Sequence, residues 1–230
     1  MLTTPPRASL SMQIYRELRH EIATLQRKPG TLLYENSLAA HYQTSRTPVR
    51  RALTRLEQDE LLEVLPQRGA RIAPLSLQRI TDAQEIRNSL EITAIRKAAA
   101  RWRAGEPKYR RYDVQIRDNI SQQQFASASS DLPSFARLDG QFHATFMQVA
   151  GNHLLLHTVE QVRVHLMRMR YLELRTTRHD EIAIDQHRQI HRAVRANDVE
   201  AAETVLLDHL QLLTTARDEL VAAHADLFTD

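Results

Sequence analysis

From Ser76 to its end the chain offers helix-forming sequence almost without interruption, and that succession excludes most architectures before any single motif is considered. Apolar residues recur at helical spacing through 77–103, 107–126, 133–150, 153–175, 180–196 and 199–226. The breaks between these stretches carry turn and cap residues: Gly105, Ser127 to Asp131, Gly151-Asn152, Thr176-Thr177 and Asn197-Asp198. Six amphipathic helices joined by short turns predict an antiparallel all-α bundle over 76–230. Only five glycines stand among 230 residues, and neither the glycine fingerprint of a dinucleotide-binding fold nor a P-loop is present.

The first 75 residues follow a different pattern. After a flexible arm over 1–10, Met12, Ile14, Leu18 and Ile22 mark a helix that stops at Lys28-Pro29-Gly30. A short helix fits 36–41. Ser45 is a good N-cap and Pro48 lies in the following first turn, so 46–58 reads as a third helix with Val49, Leu53 and Leu56 inward. Two short extended segments, 62–65 and 70–73, flank Pro66-Gln67-Arg68-Gly69. Three helices and a β-hairpin over 11–75 make a winged helix-turn-helix. Whole-chain charge is only +3, but the residues through 74 carry +4, so the basic excess sits in this unit and suggests an anionic partner.

Arg46 and Arg50 lie one turn apart near the start of the third helix, the end that enters a major groove in this motif. Each guanidinium suits two-point contact with guanine O6 and N7. Ser45, Thr47 and the free N–H groups of the first helical turn suit phosphate. The run Ser45-Arg46-Thr47-Pro48-Val49-Arg50-Arg51-Ala52-Leu53-x-x-Leu56, followed by a wing ending in Arg68-Gly69, resembles the GntR family of bacterial transcription regulators. The resemblance implies that Arg46 and Arg50 read bases of double-stranded operator DNA and that Arg68 and Gly69 form the wing tip in the minor groove. Glu35 matches a frequent family acid, for which a capping or structural role is expected. Asp59-Glu60 stands where the family usually has glycine, and Asn36 where some members have a DNA-contacting arginine.

In the second unit Asp139 and His143 form an i, i+4 pair beside the stripe Phe135, Leu138, Phe142, Phe146 and Val149, which places them at the edge of the bundle interior. A carboxylate and an imidazole on one helix, joined by histidines from later helices, is how bundle metal sites are assembled. His187, His191 and His209 are the candidates, and spacing does not choose among them. Cysteine is absent, so a metal here must use nitrogen and oxygen donors.

The segments Ala83 to Glu91, Asp139-x-x-x-His143, His187-Arg188-x-Ile190, Asp198-x-x-x-Ala202 and His209-Leu210 look like the FCD effector domain of FadR-like GntR regulators. The resemblance implies metal ligands at Asp139, His143, His187 and His209, holding Zn, Ni, Fe or Mn. It also implies that Arg87, which points a charge toward the bundle, clamps a small carboxylate effector. Salt-bridging to Glu91 is the competing role. Arg163 and Arg170 are further candidates for the same pocket. The chain is thus expected to be a homodimeric, cytoplasmic repressor with no membrane segment, its longest apolar runs falling far short of the ~20 residues that span a bilayer.

One enzyme reading competes. His179-Asp180, taken with His143 and Asp208, superficially resembles the HD phosphohydrolases, but Asp180 also reads as the N-cap of the helix that follows, and a hydrolase leaves the winged helix unexplained. An architectural DNA-binding protein would not need a bundle lined with His and Asp.

Overall fold

A computed structural model describes residues 9–66, 68–176 and 179–229. Residues 1–8 of the expected arm, Gln67 at the wing tip and Thr177 in the break before the fifth bundle segment lie outside the described residues. Two compact units result: one runs to Leu75 and takes in Leu227–Thr229, the other spans Ser76–Asp226.

In the first unit α1 (Leu10–Ala23), α2 (Glu35–His41) and α3 (Arg46–Gln58) enclose a core in which Ile14, Leu18, Ile22, Val49 and Leu56 are completely buried. Burying each such side chain is worth about 1.5–3 kcal/mol. The wing strands β2 (Leu62–Leu65) and β3 (Gly69–Ile72) pair antiparallel, Leu65 opposite Gly69. A third strand, β1 (Leu32–Leu33), extends the sheet on the other side of β3, giving the order β1-β3-β2. Two residues are too few to show an alternating pattern, so this strand is not legible in the sequence. Glu60, at the turn after α3, takes φ of 57°, the conformation that favours glycine. Farther on, β4 (Leu75–Ser76) pairs with β5 (Phe228–Thr229).

The second unit contains α4 (Leu77–Arg101), α5 (Pro107–Ala128), α6 (Leu132–Ala150), α7 (His153–Thr176), α8 (Asp180–Arg195), α9 (Val199–Thr215) and α10 (Arg217–Ala223). Their starts are capped as the sequence chemistry demands: the side chains of Ser76, Asp131 and Asp198 accept from the N–H groups of Arg79, Ser134 and Ala201. Gly151 ends α6 in the left-handed conformation. Trp102, Phe135, Phe142, Ile95 and Ile116 anchor the core. α4 packs against α6, α7 and α9, and α8 against α9.

Three expectations are corrected. The last segment is two helices rather than one, broken at the buried Ala216. α5 runs on to Ala128 because Ser127 is held inside by donating to Asp180 Oδ2 at 2.6 Å. That same bond shows why Asp180 is not the cap of α8: it is the first helical residue, buried, with His179 in the cap position. The turn between α8 and α9 is pinned by Asn197, at φ 60°, whose amide donates to the carbonyls of Ala99 (2.7 Å) and Trp102 (2.9 Å) at the end of α4.

Candidate functional site

On the first unit Ser45, Arg46, Thr47 and Arg50 are all exposed at the N-terminal end of α3, and Arg68 is exposed on the wing. Ser45 occupies the N-cap position but makes no side-chain cap hydrogen bond. Gly69 has φ of +93°, and a Cβ there would stand 2.5 Å from the backbone oxygen of Leu33, so only glycine brings the wing this close to β1. A concavity of about 540 Å³ lined by Tyr34, Asn36, Arg46, Arg50 and Arg68 opens between α3 and the wing. Glu35 does not act as a cap. Its carboxylate accepts from Arg46 Nε (3.0 Å) and Nη2 (2.6 Å) and from Arg50 Nε (2.8 Å) and Nη2 (2.9 Å), and these bonds hold its pKa down to about 2.

In the second unit Asp139 and His143 from α6, His187 from α8 and His209 from α9 converge, all buried, with one ligand atom of each within 4.8 Å of every other. His209 Nε2 lies 3.1 Å from His143 Nε2 and 3.3 Å from His187 Nε2. Asp139 Oδ1 lies 4.0 and 3.8 Å from those same two atoms of His143 and His187. His191, one turn beyond His187, points elsewhere and bonds Asp113 Oδ1 at 2.9 Å.

The protons on these rings are fixed by partners outside the cluster. His143 Nδ1 faces Glu91 Oε2 at 2.5 Å, and an ionised carboxylate only accepts, so Nδ1 carries the proton. For His187 the proton is set by a chain of hydrogen bonds that starts at a backbone carbonyl. Leu138 O accepts from Asn119 Nδ2 (3.0 Å), which turns Asn119 Oδ1 toward Gln123 Nε2 (2.7 Å) and Gln123 Oε1 toward His187 Nδ1 (2.8 Å). His209 Nδ1 meets Gln186 Oε1 at 3.1 Å. Each ring therefore donates outward and turns a bare Nε2 inward. The lone pair of His209 Nε2 faces those of His143 and His187 at 3.1 and 3.3 Å, and these repel unless a cation lies among them. These separations match the edge of about 3.3 Å expected for nitrogens around a tetrahedral metal with bonds of ~2.0–2.1 Å. The donor set thus fits a divalent ion, and ring N–H groups held by carboxylate or amide oxygens are the usual outer partners of metal-binding histidines.

Electrostatics agree with this arrangement. Burial holds His187 and His209 well below the usual imidazole range, which keeps them in the neutral, ligating form. For Asp139 burial opposes ionisation, but the neighbouring ring of His143 and the charges of Arg170 and Arg163 outweigh it and keep the carboxyl well below its ordinary range. Arg163 Nη2 donates to Asp139 Oδ2 at 2.9 Å, leaving Oδ1 on the histidine side. To do so it lies across Gly140, where a Cβ would overlap its guanidinium. Arg170 pairs with the buried Glu173, while its Nη2 is buried without a hydrogen-bond partner, 4.0 Å from Asp139 Oδ1. Arg87 is buried with Nε on Glu91 Oε1 at 2.6 Å, so Glu91 bridges Arg87 and His143. A cavity of about 170 Å³ between α6 and α7 is lined by Gly140, His143, Val159, Glu160 and Arg163. A larger groove of about 830 Å³ along α5 and α6 contains none of the four convergent residues.

The HD pair does not join the cluster. His179 Nδ1 lies 2.9 Å from Glu173 Oε1, Asp180 is engaged by Ser127, and Asp208 is exposed. Sequence reasoning named Glu91 only as a competing partner for Arg87, which the structure shows it to be, and missed its contact with His143 along with Gln123, Gln186 and Gly140. Gly140 alone carried a signal, being a glycine in the interior of an otherwise regular helix.

Comparison with known proteins agrees with both units. Residues 10–72 match the bacterial regulatory proteins of the gntR family and residues 82–212 match the FCD domain. The HTH-type transcriptional repressor RspR of Escherichia coli (strain K12) is 28% identical over 98% of this chain and 96% of its own length. An HTH-type transcriptional regulator in an unstable DNA locus of Streptomyces ambofaciens is 33% identical over 94% of this chain and 88% of its own. Among solved structures E. coli McbR/YncC superposes with a TM-score of 0.78 at 21% identity, covering 94% of this chain and 99% of that one, which is a likeness of fold. The four-residue cluster lies within the FCD match and the arginines of α3 within the gntR match, and the chain belongs to the gntR family of bacterial transcription regulators, in the branch that carries an FCD domain.

Proposed function

We propose that this regulator is a homodimeric repressor that reads a pseudo-palindromic operator through Arg46, Arg50 and the Arg68-Gly69 wing. A small organic acid, bound beside a divalent metal held by Asp139, His143, His187 and His209, releases it from DNA. The observation that carries the reading is the inward convergence of three proton-free Nε2 atoms and a carboxylate oxygen in a buried space. A dication bound there supplies a Lewis-acidic point of attachment for an oxygen ligand.

The surrounding charges define that ligand. Arg87, Arg163 and Arg170 are matched one for one by Glu91, Asp139 and Glu173. A dication adds two positive charges that no residue of this set offsets, and Arg170 Nη2 has no acceptor. An anion satisfies both demands, with Arg87 and Arg163 as the clamp on its carboxylate. The cavity of about 170 Å³ beside Arg163 is below the ~300–1,000 Å³ typical of drug-sized ligands, which limits the effector to a small acid. Dimerisation follows from the reader itself, since one recognition helix contacts too few base pairs for useful specificity.

Elemental analysis of protein purified without a polyhistidine tag is the test of the metal. About one equivalent of a dication is expected in wild type, and loss of it in His187→Ala and His209→Ala; equal content in all three overturns the site. A thermal-shift panel of organic acids on wild type, Arg87→Ala and Arg163→Ala tests the anion, and gel shift with the stabilising acid tests release of DNA. The clamp is overturned if the variants respond as fully as wild type.

A further inference from the structure

The two arginines assigned to base reading are not independent side chains. Both rest on Glu35, which comes from a different helix, so the contact is specified by the packing of α2 against α3. Glu35 is largely sheltered, with 24% of its side chain exposed, whereas Arg46 and Arg50 remain 58% and 62% exposed. One carboxylate thus faces two cations that otherwise stand in water.

The pattern of atoms matters more than the pairing. A guanidinium has five N–H donors in a planar fork. Arg46 gives Nε and Nη2 to Oε2, and Arg50 gives Nε to Oε1 and Nη2 to Oε2, so Glu35 holds the Nε edge of each. The opposite edge, made of Nη1 and the second hydrogen of Nη2, is not used by Glu35. Two parallel N–H groups there match guanine O6 and N7. Phosphate competes for the same fork as a carboxylate does. A duplex that offers these arginines only phosphates finds their Nε edges already taken by Glu35, while a correctly placed guanine uses what Glu35 leaves. Glu35 also lowers the local charge from +2 to +1, which reduces the counterion release that drives sequence-independent binding.

We propose that Glu35 is a positioning residue that gives α3 its selectivity, presenting the outer edges of Arg46 and Arg50 to bases while denying their inner edges to phosphate. The proposal rests on the reading that these two arginines contact bases. It assigns Glu35 a part in discrimination rather than in affinity: without it the protein binds indifferent DNA more tightly and its operator no more tightly.

The experiment uses the full chain and two duplexes of equal length. One is recovered from a random-sequence library by the wild-type protein, and the other is its scrambled counterpart. For Glu35→Gln the scrambled duplex should bind roughly tenfold tighter at low salt, with the slope of log K against log salt steeper by about one. The ratio of selected to scrambled affinity should fall about tenfold, with thermal unfolding near wild type. Glu35→Asp keeps the charge but is a methylene shorter, so its slope should match wild type while its ratio falls severalfold. An unchanged slope and ratio in Glu35→Gln, or equal weakening on both duplexes, overturns the proposal, as does a wild-type ratio in Glu35→Asp. Arg46→Ala and Arg50→Ala are the separate arm: an unchanged ratio in both overturns the base-reading assignment itself.

Discussion

Replacing Gly140 with alanine tests the link between the backbone of α6 and the carboxylate of Asp139. In a regular helix interior the change should stabilise by about 0.8–1 kcal/mol, because glycine is the poorer helix former. Here the added Cβ would overlap Arg163 Nη1 and Cζ and stand 2.5 Å from Nη2. A carbon needs about 3.5 Å from such an atom, so the guanidinium must retreat by at least ~1 Å. The Arg163–Asp139 bond is 2.9 Å long and cannot survive that retreat. A charge-assisted bond to a buried carboxylate is worth roughly 1.5–3 kcal/mol, so Gly140→Ala should cost the wild type about 0.5–2 kcal/mol. In an Arg163→Ala background the overlap is gone, and the same change should stabilise by about 0.8–1 kcal/mol. The sign therefore reverses, with a coupling of about 1.5–3 kcal/mol in a double-mutant cycle. Thermal unfolding of the four proteins reads this out, at roughly 2–4 °C per kcal/mol for a chain of this size. If Gly140→Ala stabilises wild type and Arg163→Ala alike, Arg163 does not lie over Gly140 and the account of how Asp139 is oriented fails.

Glu91→Gln removes the charge that fixes the His143 tautomer, so metal affinity measured by competition with a chelator should fall about 10–100-fold; an unchanged affinity would mean Glu91 serves Arg87 alone. Gly69→Ala forces a side chain into φ +93° and against Leu33 O, so the first unit should lose about 1–3 kcal/mol of stability and the wing its operator contact, as seen by denaturant unfolding and gel shift. Glu35 has a folded pKa of about 2, lowered from 4.5, so the stability its ion pairs contribute is fully present above pH ~4.5 and lost only as pH falls toward 2. The selectivity difference between wild type and Glu35→Gln should accordingly stay constant from pH 8 to pH 5, and a difference that shrinks within that range would place the carboxyl elsewhere.

The boundaries of α3 are legible because a Ser cap, a first-turn Pro and an inward Val49, Leu53, Leu56 stripe all state the same helix. The bundle is legible for a similar reason: caps and turns repeat the message of its apolar spacing. The break at Ala216 is not, since Thr214-Thr215-Ala216 contains neither Gly nor Pro and nothing local stops the helix. The i, i+4 spacing makes Asp139 and His143 readable as a pair, whereas His187 and His209 are preferred over His191 only through the resemblance to the FCD domain. Their outer partners are not readable, because Gln123 and Gln186 sit among many polar helix residues, and only the packing of α5, α8 and α9 selects them. Glu35 shows the same limit, as its partners lie 11 and 15 residues away on another helix.

The two bonds from Asn197 hold the far end of α4, and for a rigid tilt of that helix they would set the pivot. Twenty-five residues at 1.5 Å each give a rod of about 37 Å, pinned near Ala99 and Trp102. Glu91, which touches His143, stands about 12 Å from the pin, and Leu77, at the start of the rod, about 33 Å from it. Rotation about that pivot multiplies displacement nearly threefold between the two points. A 1 Å movement at the histidine cluster becomes almost 3 Å where α4 begins, close to the ~3.4 Å rise of a single base pair. One hydrogen-bonded asparagine in a surface turn thereby anchors the end of the helix that follows the wing.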